Sequence, residues 1–137
     1  MTQHSAVRSQ SLHARLGTYF CAVPAMEPAL HFFRDALGCP VRHDGCRCGV
    51  TSPSDEQLAA HTWLQFDAGI QLWAHVDPTL APRDLGVGLW IDDCDVARGV
   101  LRQHGIETLQ APQRIAEGVR GFEIKDPFGN TWWIYGA

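Results

Sequence analysis

Two stretches of this chain, GIQLWAH (69–75) and GNTWWIY (129–135), are built alike, and each closes a run of elements in the same order. Upstream of the first, LGTYFCAV (16–23) is rich in aromatic and β-branched residues and reads as a strand. PAMEPALHFFRDALG then carries Met26, Ala29, Leu30, Phe33 and Leu37 at helical spacing, with Pro28 near its start and Gly38 placed for a left-handed cap. Residues 39–43 allow a short strand, 44–59 read as a loop, and strands follow at 61–66 and 70–76 around the turn Asp67-Ala68-Gly69. After DPTLAPRD, a linker with prolines, the order begins again with VGLWI as a strand. Asp93 or Asp95 caps a helix in which Val96, Ala97, Val100 and Leu101 share a face and which Gly105 ends. Strands are expected at 107–110, 119–125 and 130–135. A β-α-β-β-β order met twice leaves few folds open. Neither half buries its sheet alone, so each is expected to form a curved sheet with a helix on its outer face, and the halves must pack together.

The chain has 137 residues, 45% of them hydrophobic, which suits one compact domain with a real core. We therefore expect an α+β fold with a flexible segment 1–15 and a single domain 16–137, divided into module one (16–76), linker (77–84) and module two (85–137). A net charge of −4 argues against a dedicated nucleic-acid binder, since phosphate neutralisation needs clustered Lys and Arg. MTQHSAVRSQSLHAR holds no apolar run long enough for a signal peptide core or a membrane span. Five cysteines form no paired framework, which suits a reducing compartment; the expected setting is cytoplasmic, with no membrane partner.

VPAMEPALHFFRDALG resembles the opening helix of the glyoxalase, bleomycin resistance and extradiol dioxygenase superfamily, also called the vicinal oxygen chelate superfamily. GFEIKDPFGNTWWIY is similar to its closing hairpin, with the DPxGN turn the most recognisable motif. The resemblance runs from about Leu16 onward. It implies two βαβββ modules forming an open, cupped mixed sheet, with ligands on the concave side and clefts often shared by two chains. It also implies, for the metal-using members, His, Glu or Gln ligands on the first and last strands of each module. Here those positions fall on Thr18, on Gln71 or Trp73, on Gly86 and on Trp133. A stable divalent site needs about three N, O or S donors at near 2.0–2.2 Å, so the expectation is no metal and no cofactor.

Strand alternation then asks what the tryptophans do. If Trp133 faces the cleft, so do Thr131 and Tyr135, while Trp132 and Ile134 pack under the helices. The same rule turns Gln71, Trp73 and His75 inward, then Gly88 and Trp90, and Trp63 shares a face with His61 and Gln65. The candidate ligand-binding residues are Trp63, Gln71, Trp73, His75, Trp90, Trp133 and Tyr135. Indoles in a cleft suit a flat aromatic ligand, and the acidic balance favours a cationic one; the plainer alternative is that the same rings fill the cup as core. The resemblance extends to bleomycin-resistance proteins through QLWAHVDPTLAP and GLWIDDCDVA. It implies a metal-independent binder of small molecules acting by sequestration, as a homodimer. The alternative is an enzyme of the same superfamily, a lyase, isomerase or dioxygenase, with a displaced metal site at His61, His75 or Glu123 or with metal-free acid-base catalysis. Cys39, His43, Cys46 and Cys48 offer soft donors for zinc, but their spacing matches no common zinc motif and ordinary thiols are the preferred reading.

Overall fold

The computed structural model describes residues 12–14, 16–42, 53–79 and 81–137; most of segment 1–15, together with His43, Cys46 and Cys48, lies outside them. Strand β1 (Thr18–Val23) leads into α1, an α-helical turn (Met26–Ala29) that runs on as a π-helix (Leu30–Ala36). The wider i→i+5 register shows in the Leu37 N–H donating to the Phe32 carbonyl at 3.0 Å. The adjacent Phe32 and Phe33 are both buried in it, ring centroids 5.1 Å apart. Gly38, at φ 74°, supplies the left-handed residue that ends the run.

A second helix, α2 (Asp55–Ala59), stands where the sequence predicts loop. Ser54 explains it: its hydroxyl accepts from the Gln57 N–H at 3.2 Å, and its own N–H donates to Gln57 Oε1 at 2.8 Å. This reciprocal pair satisfies donors that the first turn leaves open. Arg34 pins α2 to α1 by donating to both carboxylate oxygens of Asp55, at 2.8 and 3.0 Å. Strands β2 (Trp63–Asp67) and β3 (Gln71–Val76) complete the first sheet in the order β1-β3-β2, with β1 parallel and β2 antiparallel to β3. The short strand expected at 39–43 is reduced to one bridge, Val41 to Phe66.

Module two repeats the plan. Strand β4 (Asp84–Ile91) begins inside the expected linker. Asp93 caps α3 (Cys94–Gln103), its carboxylate accepting from the Asp95 and Val96 N–H groups. The expected apolar stripe of α3 splits: Leu101 is buried, whereas Val96 and Val100 lie exposed at 62% and 38%. The 97/101 line and the 96/100 line sit about 100° apart, and only the first meets the sheet. Then come β5 (Glu107–Thr108), shorter than expected, β6 (Gln113–Ala116), not expected, β7 (Val119–Lys125) and β8 (Thr131–Gly136). The second sheet runs β4-β8-β7-β5, with β4 parallel to β8 and β6 paired to β7.

The buried faces of both sheets close on one core. Trp132 is its centre, with ring centroids 5.7 Å from Phe33, 5.8 Å from Phe32 and 6.1 Å from Tyr19 across the module boundary. The turn before β8 is held by Asp126, whose carboxylate accepts from the N–H groups of Phe128 and Asn130, from the Asn130 amide and from the Trp132 indole. Among the described residues, no helix is long and apolar enough to cross a membrane.

Candidate ligand-binding faces

Because the core takes one face of each sheet, the alternate residues look outward. On the first sheet, Leu64, Phe66, Leu72 and Ala74 point to the core. Phe20, Trp63, Gln65, Gln71, Trp73 and His75 therefore share the other face. Register sets Trp63 opposite His75 and Gln65 opposite Trp73, with Phe20 beyond Trp73. Trp63 stacks on the His75 imidazole at 4.6 Å between centroids and 20° between planes, and meets Trp73 and Phe20 edge on at 6.4 and 6.2 Å. The Trp73 indole N–H donates to Gln71 Oε1 at 3.3 Å.

The second sheet buries Trp132, Ile134, Phe122 and Ile124, leaving Gly88, Trp90, Glu123, Trp133 and Tyr135 on the outer side. Trp90 is 59% exposed and Trp133 36%, against 0% for Trp132. Gly88 matters here: a Cβ on it would stand 2.5 Å from Tyr135 Cε1, so only glycine lets that ring lie across β4. Ile115 likewise covers Gly121, and a hollow of about 410 Å³ opens between Gly88, Ile115, Val119, Trp133 and Tyr135. Glu123 stands directly opposite Trp133. Gln110 fixes it by donating to its carboxylate at 2.8 Å and accepting from its N–H at 2.7 Å.

The seven candidate residues thus fall into two groups: Trp63, Gln71, Trp73 and His75 on one sheet, Trp90, Trp133 and Tyr135 on the other. Among the described residues no ring contact joins the groups, although Trp90 and Tyr135 border a hollow of about 410 Å³ whose other wall is Tyr19, Ile70 and Leu72 of the first module. A larger groove, about 630 Å³, lies between α1 and α2, but its strongest charges already pair, Arg34 with Asp35 and Asp55. Those bonds hold the Asp35 and Asp55 carboxyls below their ordinary range.

The positions from which the fold takes metal ligands can be read from register. Counting from the turn glycines, Trp73 and Trp133 correspond, and their first-strand partners are Phe20 and Gly88 rather than Thr18 and Gly86. Gly86 sits in the register shift of β4 at φ 64°. None of these four side chains offers a donor to a divalent ion; one same-face strand step away stand Thr18, Gln71 and His75 on the first sheet and Thr131 and Tyr135 on the second. No group of three His, Cys, Asp or Glu that suits a metal occurs among the described residues. His61, His75 and Glu123 are separated: His61 Nδ1 contacts the Gln57 carbonyl at 2.8 Å at the end of α2, His75 stacks on Trp63, and Glu123 is on the other sheet. Among the described residues no cysteine is a candidate for thiolate chemistry. Burial, with the Asp126 carboxylate adding to it, pushes the Cys21 thiol up to about 12, and burial is also the main cause raising Cys39 and Cys94.

Comparison with known proteins agrees with this architecture. A putative glyoxalase family protein from Bacillus anthracis superposes with a TM-score of 0.68 at 19% identity, over 93% of this chain and 98% of that one. A superfamily member from Sphaerobacter thermophilus gives 0.66 at 18%, over 93% and 100%. The fosfomycin resistance protein FosX from Listeria monocytogenes gives 0.66 at 13%, over 92% and 95%. A curated relative, alpha-1B-glycoprotein of Mus musculus, is 30% identical over 129 residues, 80% of this chain, which spans about a quarter (25%) of that protein's length. The family model described as Glyoxalase/Bleomycin resistance protein/Dioxygenase superfamily matches residues 15–134, in keeping with the repeated module, the parallel first and last strands and the DPxGN turn, and the chain belongs to that superfamily.

Proposed function

We propose that this protein binds flat aromatic small molecules on its outer sheet faces without a metal ion and acts by sequestration. The observation that carries the reading is the side chain at each metal-ligand position: Trp73 and Trp133 stand where last-strand donors are expected, and both border open, aromatic-lined surface. A face built from indoles and a phenol offers large rigid area with few polar demands. The acidic balance of the chain favours a cationic ligand, which an aromatic face also holds. The fold is shared with FosX, a fosfomycin resistance protein, which supports a resistance-type role. The working unit is a homodimer: no ring contact joins the two aromatic groups within one chain, and β4 lies at the edge of its sheet with no buried residue along its length, which leaves room for a second chain to close a cup. Free Cys21, Cys39 and Cys94 support a cytoplasmic setting.

A second reading, a metal-free acid-base enzyme, draws on Glu123, whose carboxylate Gln110 orients beside Trp133. Two measurements separate the possibilities. Titration of Trp fluorescence with planar aromatic cations is expected to show saturable quenching that Trp133→Ala and Trp73→Ala weaken; the absence of any response over a broad panel would sink the binding role. Elemental analysis of purified protein is expected to find no stoichiometric zinc, iron, manganese or nickel, and finding one refutes metal independence.

A further inference from the structure

Glu123 is partly buried on the outer side of the second sheet, and Gln110 holds it twice: the amide donates to Glu123 Oε1 at 2.8 Å and accepts from the Glu123 N–H at 2.7 Å. A neutral amide fixes a carboxylate without cancelling its charge. Oε2 receives no hydrogen bond from any described residue, and no described cation pairs with Glu123. The basic residues of β6 and β7 are placed elsewhere. Arg120 donates to Asp95 on α3, and its register partner Arg114 shares its face of the sheet, opposite to that of Glu123. Lys125, two residues along β7, lines a separate hollow with His104, Glu107 and Pro127. A partly buried carboxylate without a counter-ion lowers stability, so its presence suits a cation that comes from outside.

Trp133 lies directly opposite on β8, 36% exposed, and forms one wall of the hollow shared with Gly88, Ile115, Val119 and Tyr135. No charged residue lines the hollow itself. Opposed side chains in a sheet stand about 4.5–5.5 Å apart at Cβ, so a ring resting on Trp133 comes within reach of the carboxylate. The first sheet differs at one place: opposite Trp73, which corresponds to Trp133, stands the neutral Gln65.

We propose that Glu123 is the counter-ion that selects cationic flat aromatic ligands on the second face, with Trp133 as the stacking surface and Gln110 as a positioning residue. The inference rests on the ligand-binding role proposed above, confines its preference for cations to one face and assigns Glu123 to charge recognition rather than to acid-base catalysis. An indole beside a carboxylate attracts a cation twice, through the negative ring face and through the full charge.

Calorimetric titration of the intact protein with 1-methylquinolinium and with 4-methylquinoline, uncharged in mildly alkaline buffer, tests this, because the probes share a ring system and differ in charge. The cation is expected to bind about tenfold more tightly, a ratio that shrinks as salt screens the pair. Glu123→Gln gives the second face the residue type that the first carries, and should bring the ratio to about one by weakening the cation. Gln110→Leu, which lets the carboxylate move, should lower the ratio and leave the affinity for the neutral probe as it was. The ratio should persist in Trp73→Ala. A ratio that survives Glu123→Gln or is lost in Trp73→Ala overturns the proposal, as does equal wild-type affinity for both probes; if Trp133→Ala then still weakens the neutral probe, the ligand-binding role stands without it. Should Glu123→Gln fail to fold, the salt series decides, and a ratio unchanged up to about 0.5 M overturns the proposal. If Trp133→Ala changes neither affinity while Glu123→Gln removes the ratio, the stacking surface is wrong and the counter-ion stands; if neither probe binds the wild type, both readings fall.

Discussion

Asp126→Ala is the most informative perturbation of the fold. Its carboxylate, 5% exposed, accepts four hydrogen bonds: from the Phe128 and Asn130 N–H groups at 2.9 Å each, from the Asn130 amide at 3.1 Å and from the Trp132 indole at 2.9 Å. Truncation strands all four donors. The Trp132 indole and the Asn130 side chain, at 0% and 2% exposure, have no route to water. At about 1–3 kcal/mol for each stranded buried donor, those two alone cost about 2–6 kcal/mol, a large part of the ~5–15 kcal/mol typical of a domain. The assay is urea unfolding at neutral pH followed by circular dichroism, with m unchanged so that the midpoint reports stability. Coupling gives a second check. In a Trp132→Phe background one donor is already missing, so Asp126→Ala should cost at least about 1 kcal/mol less than in the wild type. A loss below about 1 kcal/mol for Asp126→Ala, or strictly additive costs, would refute the claim that this carboxylate organises the turn and anchors the core indole.

Further outcomes follow from other sites. Gly88→Ala places a Cβ 2.5 Å from Tyr135 Cε1, so the ring must leave β4; stability should fall by about 1–3 kcal/mol and fluorescence quenching by ligands of the second face should weaken. Ser54→Ala should cost about 1 kcal/mol and speed hydrogen exchange in α2 while the sheets keep their protection. The Cys21 thiol has a folded pKa of about 12 against 9.0 ordinarily, so its contribution is complete below about pH 9 and is lost as pH rises through about 12. Urea midpoints should therefore decline above pH 9, with a shallower slope in Cys21→Ala; an identical slope would show that the thiol plays no part.

Much of the fold was legible because it is written as a period and a repeat. Gly38 and Gly105 ended their helices as read, at φ 74° and 75°, and alternation along GNTWWIY separated a buried Trp132 from an exposed Trp133. The misses have identifiable causes. Ser54-Asp55-Glu56-Gln57 carries the capping signature of α2, but the Gly, Pro and Ser residues around it carry a competing loop signal. Strand β6 carries no alternation in its burial, since all four residues are exposed, and left no pattern to find. On α3 the apolar residues fall on two adjacent lines, and sequence spacing does not say which of them the sheet will meet. The site was legible face by face only. Nothing in the spacing tells that the buried sides of both sheets share one core, which is a tertiary fact.

The strand made last in each module is an inner one, β3 between β1 and β2, and β8 between β4 and β7. A growing chain on the ribosome therefore holds β1 without its neighbour until Gln71 to Val76 have emerged, and β4 without its neighbour until Thr131 to Gly136 have, whereas β7 already has β5 and β6 to pair with. Such pairing is non-local and late, so each sheet closes in a single step at the end of its module, and the aromatic strands wait in the open until then.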